Sequence, residues 1–318
     1  MSLPSAPSFG IYLPQLAFDG PTYLERAKLV EELGFDALWL YDHLYGPGLP
    51  GVDSFEAFTL ASWVLAHTTA LRVGHLVACA NFRNTALLAK MVATLDVLSS
   101  GRFELGLGSG SYEAEHHEAG LPWGSGAQRS ARLAETVEAL VALFSGEPVT
   151  FEGAHVSLAG FTSLPRPIQV PHPPIHLGGI GPRFTIPLVA RFADVWSVPT
   201  YGLDVWLERR DQLFAECERI GRDPGTIRIS HEAVLVLGAD EASVADATAL
   251  AARRYHGDQW GVEAGGYVGT PPMVLARIEA MRAEGVTDFI FFTPDRGRRD
   301  QLELLAQEVV IPARQTST

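Results

Sequence analysis

Eight short apolar runs, each followed by a stretch of helical periodicity, recur along the 318-residue chain. The runs are residues 9–14 (FGIYLP), 36–41 (DALWLY), 71–79 (LRVGHLVAC), 102–108 (RFELGLG), 174–178 (PIHLG), 193–198 (ADVWSV), 227–237 and 286–293 (VTDFIFFT). Helical spacing predicts helices from Pro21 to Gly34 and over 55–67, 85–98, 129–144, 182–192, 203–220, 241–255, 271–284 and 301–308. Strands separated by helices form parallel sheets, because parallel neighbours need crossover connections. An open doubly wound sheet also alternates in this way. The count of eight points to closure: an α/β chain folded as a (β/α)8 TIM barrel, in which chemistry sits at the carboxyl ends of the strands.

The rhythm breaks once. Residues 147–173 read as a β-hairpin (PVTFEGAHVSL) and a proline-rich return (LPRPIQVPHPP). The stretch is too short to hold its own core, so it is an insertion in a single domain spanning 1–318.

Charge and cysteine content narrow the function classes. Lys and Arg total 24 against 37 Asp and Glu, a net charge of −13. Such a surface is a poor non-specific partner for nucleic acid or an anionic membrane. No apolar run approaches the ~18 residues of a membrane span. The first basic residue is Arg26, so no charged leader region is expected. The two cysteines, Cys79 and Cys217, form no CxxC site and no disulfide framework, which fits a reduced cytoplasmic compartment.

The strand ends carry the candidate chemistry. Asp42-His43 follows the second run; a histidine there suits proton transfer near neutral pH. The alternative is a loop cap and a surface imidazole. The fourth run continues as Gly106-Leu107-Gly108-Ser109-Gly110-Ser111, whose small residues admit a flat ligand, and then as Tyr112-Glu113-Ala114-Glu115-His116-His117-Glu118. Glu113 and His117, four apart, open a metal reading, but no HxH follows the first run, so no metal ligand is assigned. The fifth run ends in Gly178-Gly179-Ile180-Gly181-Pro182-Arg183, a glycine turn feeding a helix N-terminus, which is a phosphate-binding geometry. Cys79 has no identifiable base and reads as packing.

These stretches are similar to a known family. FGIYLPQ (9–15), ALWLYDHL (37–44), residues 71–110, SYEAEHHEAGLPW (111–123), GEPVTFEGAHVSL (146–158), LPRPIQVPHPPIHLGGIGPR (164–183) and ARFADVWSV (190–198) resemble the luciferase-like oxidoreductases. The closer likeness is to the actinobacterial branch that uses coenzyme F420, a deazaflavin. The resemblance covers about residues 9–310, in order. It implies a barrel with the flavin-type ring at the strand carboxyl ends. It places Asp42 beside the ring and gives His43 the catalytic role. It puts a non-prolyl cis peptide at Leu76–Val77 behind the ring. It also assigns Gly108, Ser111, Gly178, Gly179, Ile180, Gly181 and Arg183 to the cofactor.

Sugar-phosphate-oxidising members carry a Glu where this chain has Ser111, so the resemblance assigns the proton donor to no residue here. The expected reaction is hydride transfer between F420 and a small organic substrate. An FMN-dependent monooxygenase of the same superfamily is the alternative, and a metal-dependent barrel hydrolase the alternative of another class. Phe82, Trp123 and Trp196 are expected to wall the substrate side, with loops 44–54, 109–128 and 255–270 setting specificity. Relatives are often homodimers, and the helical segments 53–67 and 84–98 suit an interface.

Overall fold

The computed structural model describes residues 6–254 and 266–315, so the end of the predicted helix at Tyr255 and loop positions 255–265 lie outside the described residues. Eight parallel strands close on themselves. They are β1 (Ser8–Tyr12), β2 (Ala37–Leu40), β3 (Arg72–His75), β4 (Phe103–Gly108), β5 (Ile175–Gly178), β6 (Val195–Val198), β7 (Arg228–Leu237) and β8 (Asp288–Phe292). β7 pairs with both β6 and β8, and β8 with β1, which completes the ring. Helices return the chain between strands, so the fold is the expected (β/α)8 barrel. Outward apolar side chains such as Phe9, Leu38, Phe103, Leu177 and Phe289 are at most 1% exposed beneath those helices. Each such burial contributes about 1.5–3 kcal/mol.

The interior is filled, not hollow. Trp39 crosses it, and its neighbours must be glycine: a Cβ on Gly74 would lie 2.5 Å from the indole and one on Gly10 2.7 Å. Below it, the Glu104 carboxylate meets His176 at 2.5 Å and Arg72 at 2.7 Å, and Arg228 bridges to Asp288 at 2.6 Å. Burial pushes the Glu104 carboxyl up, but the bond to His176 and the guanidinium groups of Arg72 and Arg228 outweigh it and hold the group at about 2.

Three details refine the sequence reading. The third run is split: β3 stops at His75 and Ala78–Cys79 then rejoins β4, with the expected non-prolyl cis peptide at Leu76–Val77 between them. Residues Glu113–Glu118, inside the expected loop 109–128, form a one-and-a-half-turn helix. A further strand, Tyr267–Gly269, adds in parallel to β7; its three residues carry too little periodicity to be read. The hairpin is present, as Val149–Glu152 against Ser157–Phe161. Glu135 of helix Gly126–Leu143 ties it down by accepting the amides of Ala154, His155 and Val156.

Candidate active site

The carboxyl end of β2 delivers Asp42 and His43, and each side chain meets a partner distant in sequence. His43 Nδ1 lies 2.8 Å from Glu115 Oε1, and the Leu44 amide donates to Glu115 Oε2 at 2.9 Å. Glu115 is 1% exposed while the His43 side chain is 21% exposed. A carboxylate only accepts, so Nδ1 carries the proton and Nε2 is the working nitrogen. Among the described residues Nε2 has no hydrogen-bond partner. The short helix Glu113–Glu118 exists to make this contact: it turns Glu115 and His116 inward and leaves Glu113 and His117 outside.

Asp42 makes no hydrogen bond to the His43 ring among the described residues. Its oxygens take both arms of Arg83, at 2.6 and 2.9 Å, and the Cys79 amide at 2.9 Å. Arg83 also reaches Glu56 at 2.7 Å and lies 4.3 Å above the Phe58 ring. This bidentate pair fixes the loop after β2 to the turn after β3.

Beside this pair, the split third strand presents Val77 over glycines. A Cβ on Gly108 would approach a Val77 methyl to 2.5 Å, and one on Gly178 to 3.2 Å. Val77, Gly108 and Gly178 are therefore brought together at the strand ends, while Leu76 turns into the interior cluster with Trp39. Such a bed of glycines around one branched side chain leaves a flat floor, the shape a planar ring requires.

The glycine turn after β5 is only partly free. Gly179 donates its amide to Ser197 O at 3.1 Å, so that N–H is spent on the barrel. The amides of Ile180 and Gly181 donate to no described acceptor and precede helix Thr185–Phe192. Trp196 does not wall the substrate side. It is fully buried between barrel and helices, and its indole N–H holds the turn through Gly179 O at 2.8 Å. Arg183 is exposed, with its guanidinium 5.2 Å from the Phe184 ring centre, and Ser111 is exposed with no acid at its position.

Phe82 and Trp123 both pack against the buried His116, the residue after Glu115, with ring centres at 4.9 and 4.7 Å. His116 Nδ1 meets Tyr112 O at 3.0 Å and Nε2 faces Cys79 Sγ at 3.6 Å. Burial pushes the Cys79 thiol up to about 12, so it stays protonated, as its packing role requires. Glu113 and His117 pair with each other at 3.1 Å on the surface, and among the described residues no three His, Cys, Asp or Glu side chains gather as a metal site.

Two carboxyl groups were not singled out from sequence. Glu115 is one; its contact spans 72 positions. Glu232 is the other. It sits on β7 in register with Ile290, which packs with Trp39 and Leu76 inside the barrel. Burial raises its carboxyl to about 8, and its Oε1 has no partner among the described residues. A neutral carboxyl in that position is a hydrogen-bond donor.

The fold agrees with comparisons to known proteins. The sequence model of the luciferase-like monooxygenases matches residues 8–265. An F420-dependent glucose-6-phosphate dehydrogenase of Microbacterium testaceum is 33% identical over 197 residues, 62% of this chain and 57% of that protein. The match thus spans little more than half of that relative's length. The coenzyme F420-dependent tetrahydromethanopterin reductase of Methanopyrus kandleri superposes with a TM-score of 0.78 at 21% identity, over 97% of this chain and 99% of that one. The EDTA monooxygenase of Chelativorans sp. BNC1 does so with a TM-score of 0.81 at 17% identity, over 98% and 94%. At those identities the two structures share the barrel and its elaborations. With the match over residues 8–265, the chain belongs to the luciferase-like monooxygenase family.

Proposed function

We propose that this protein is an oxidoreductase that passes hydride between coenzyme F420 and a small organic substrate. The observation that carries the reading is the His43–Glu115 pair at 2.8 Å, set at the carboxyl end of β2. The Microbacterium relative's dependence on F420 favours the deazaflavin over FMN. The site's own features fit such a group: the glycine-bedded floor at Val77, Gly108 and Gly178, and the uncommitted amides of Ile180 and Gly181. Those residues would hold ring and phosphate, with Asp42, Ser111, Gly179 and Arg183 at the margins.

F420, when bound, supplies a ring that carries hydride. The protein supplies orientation and proton handling. Glu115 locks the His43 tautomer, so Nε2 accepts or delivers the proton that accompanies hydride transfer. Arg83 immobilises Asp42 and with it the loop that carries His43. Glu232, whose Oε1 has no partner among the described residues and whose carboxyl is raised by burial to about 8, is a hydrogen-bond donor in reserve. The acid near the histidine comes from Glu115 and not from the Ser111 position, so the sugar-phosphate substrate of the Microbacterium relative is not carried over.

Titrating the purified protein with F420 and with FMN tests the cofactor assignment. The expected result is saturable F420 binding. Saturable binding of FMN alone rejects the deazaflavin reading in favour of the FMN monooxygenase one.

We also place the protein in the cytoplasm as a homodimer. Both cysteines are free and buried. Leu87 and Leu98 of helix Thr85–Leu98 are 54% and 77% exposed, and Lys90 of the same helix bonds the Leu164 carbonyl of the proline-rich return. That return adds exposed Leu164, Ile168 and Val170. Exposed apolar side chains on these two neighbouring segments favour an interface there. A monomer mass by light scattering at micromolar concentration contradicts the dimer.

A further inference from the structure

Beyond the Asp42–Arg83 clamp, a cavity of about 100 Å³ opens between the start of helix Thr85–Leu98, the middle of helix Gly126–Leu143 and the hairpin. Its polar lining includes Arg83, Asn84, Arg132, Thr136, His155 and Ser157, and no carboxylate. The acids nearby are engaged elsewhere. Asp42 and Glu56 are bound to Arg83, and Glu135 accepts the amides of residues 154–156. Arg132 forms no ion pair among the described residues, although it is partly buried.

Thr136 is the decisive residue. It is 1% exposed, and its hydroxyl has no partner among the described residues. A threonine on a helix ordinarily returns its hydroxyl to the carbonyl one turn back. Thr68, Thr94 and Thr248 all do so here, to Val64, Lys90 and Val244 at 2.7–2.9 Å. Thr136 does not; its hydroxyl is buried beside the cavity that the residue lines and has no partner among the described residues. A buried polar group left unsatisfied costs about 1–3 kcal/mol. A ligand that accepts from both Thr136 and Arg132 removes that cost. The cavity is larger than one water needs and has room for one tetrahedral anion.

We propose that this cavity binds one tetrahedral oxyanion, inorganic phosphate or a phosphoryl group, held by the Arg132 guanidinium and the Thr136 hydroxyl with His155 at its rim. None of the residues assigned to F420 lines it. The inference therefore stands apart from the cofactor reading. The two are linked only by Arg83, which faces the cavity on one side and clamps Asp42 on the other.

Calorimetric titration of the full chain with inorganic phosphate, at ionic strength fixed with chloride, tests the site. The expected result is one saturable site. Arg132→Gln weakens it about tenfold or more, because a charge-assisted bond is lost. Thr136→Val, equal in shape, weakens it several-fold, and the exposed control Arg191→Gln leaves it unchanged. Absence of saturable heat beyond the chloride background, or identical affinity in wild type, Arg132→Gln and Thr136→Val, overturns the proposal. A second arm locates the bound anion. Phosphate that competes with F420 in the wild type sits at the Ile180–Gly181 turn and overturns the cavity proposal; phosphate that binds independently of F420 and responds to Arg132→Gln supports it. Failure of F420 to bind rejects the cofactor reading and leaves the phosphate titration fully informative.

Discussion

Replacing His43 with alanine is expected to slow hydride transfer by about 10²–10⁴-fold, the usual contribution of one positioned acid–base group. The affinity for F420 is expected to stay within a few-fold of wild type, because the ring floor at Val77, Gly108 and Gly178 is untouched. The measurement is the single-turnover rate with any alcohol, aldehyde or ketone that the wild type turns over, alongside the F420 dissociation constant. Glu115→Gln is informative beside it. The amide still fills the buried place against the Leu44 amide, but it no longer fixes one tautomer of His43. Turnover therefore falls without loss of fold, and by less than in His43→Ala. A His43→Ala rate within threefold of wild type removes the histidine from the mechanism.

Replacing Arg83 with methionine is expected to lower unfolding stability by about 3–5 kcal/mol, the usual cost of leaving one partner of a buried ion pair alone. Asp42 is 5% exposed and depends on Arg83 for two of its three hydrogen bonds. Methionine keeps packing over Phe58, so the loss isolates the charge. Glu56→Gln is the control: that carboxylate is 45% exposed at its side chain, and its contribution is expected below about 1 kcal/mol. Urea unfolding of the three proteins gives both numbers. A loss under 1 kcal/mol in Arg83→Met shows that Asp42 finds water or another donor, and that the clamp is dispensable.

The barrel was legible because its strands are buried on both faces. Runs such as FELGLG and DFIFF are apolar without alternation, and the turn residues between them are local signals. Asp42 and His43 were legible for the same reason, since barrel chemistry follows strand ends. Their partners were not. Glu115 reaches His43 across 72 positions and Arg83 reaches Asp42 across 41, and no periodicity encodes such contacts. Among Glu113, Glu115 and Glu118, the choice of Glu115 depends on which face of the short helix turns inward. The misplacement of Trp196 has the same origin. Strand residues alternate between interior and helix-facing sides, and the run ADVWSV is too uniformly apolar to reveal which side the indole takes.

The most direct measurement is a crystal structure of the protein with F420 bound. The account predicts the ring lying on Val77 at the strand ends, the phosphate on the amides of Ile180 and Gly181, and His43 Nε2 within about 2.6–3.2 Å of a polar atom of the ring or of a co-bound substrate. A ring seated elsewhere, or one at the strand ends with Nε2 turned away and those two amides unengaged, contradicts it.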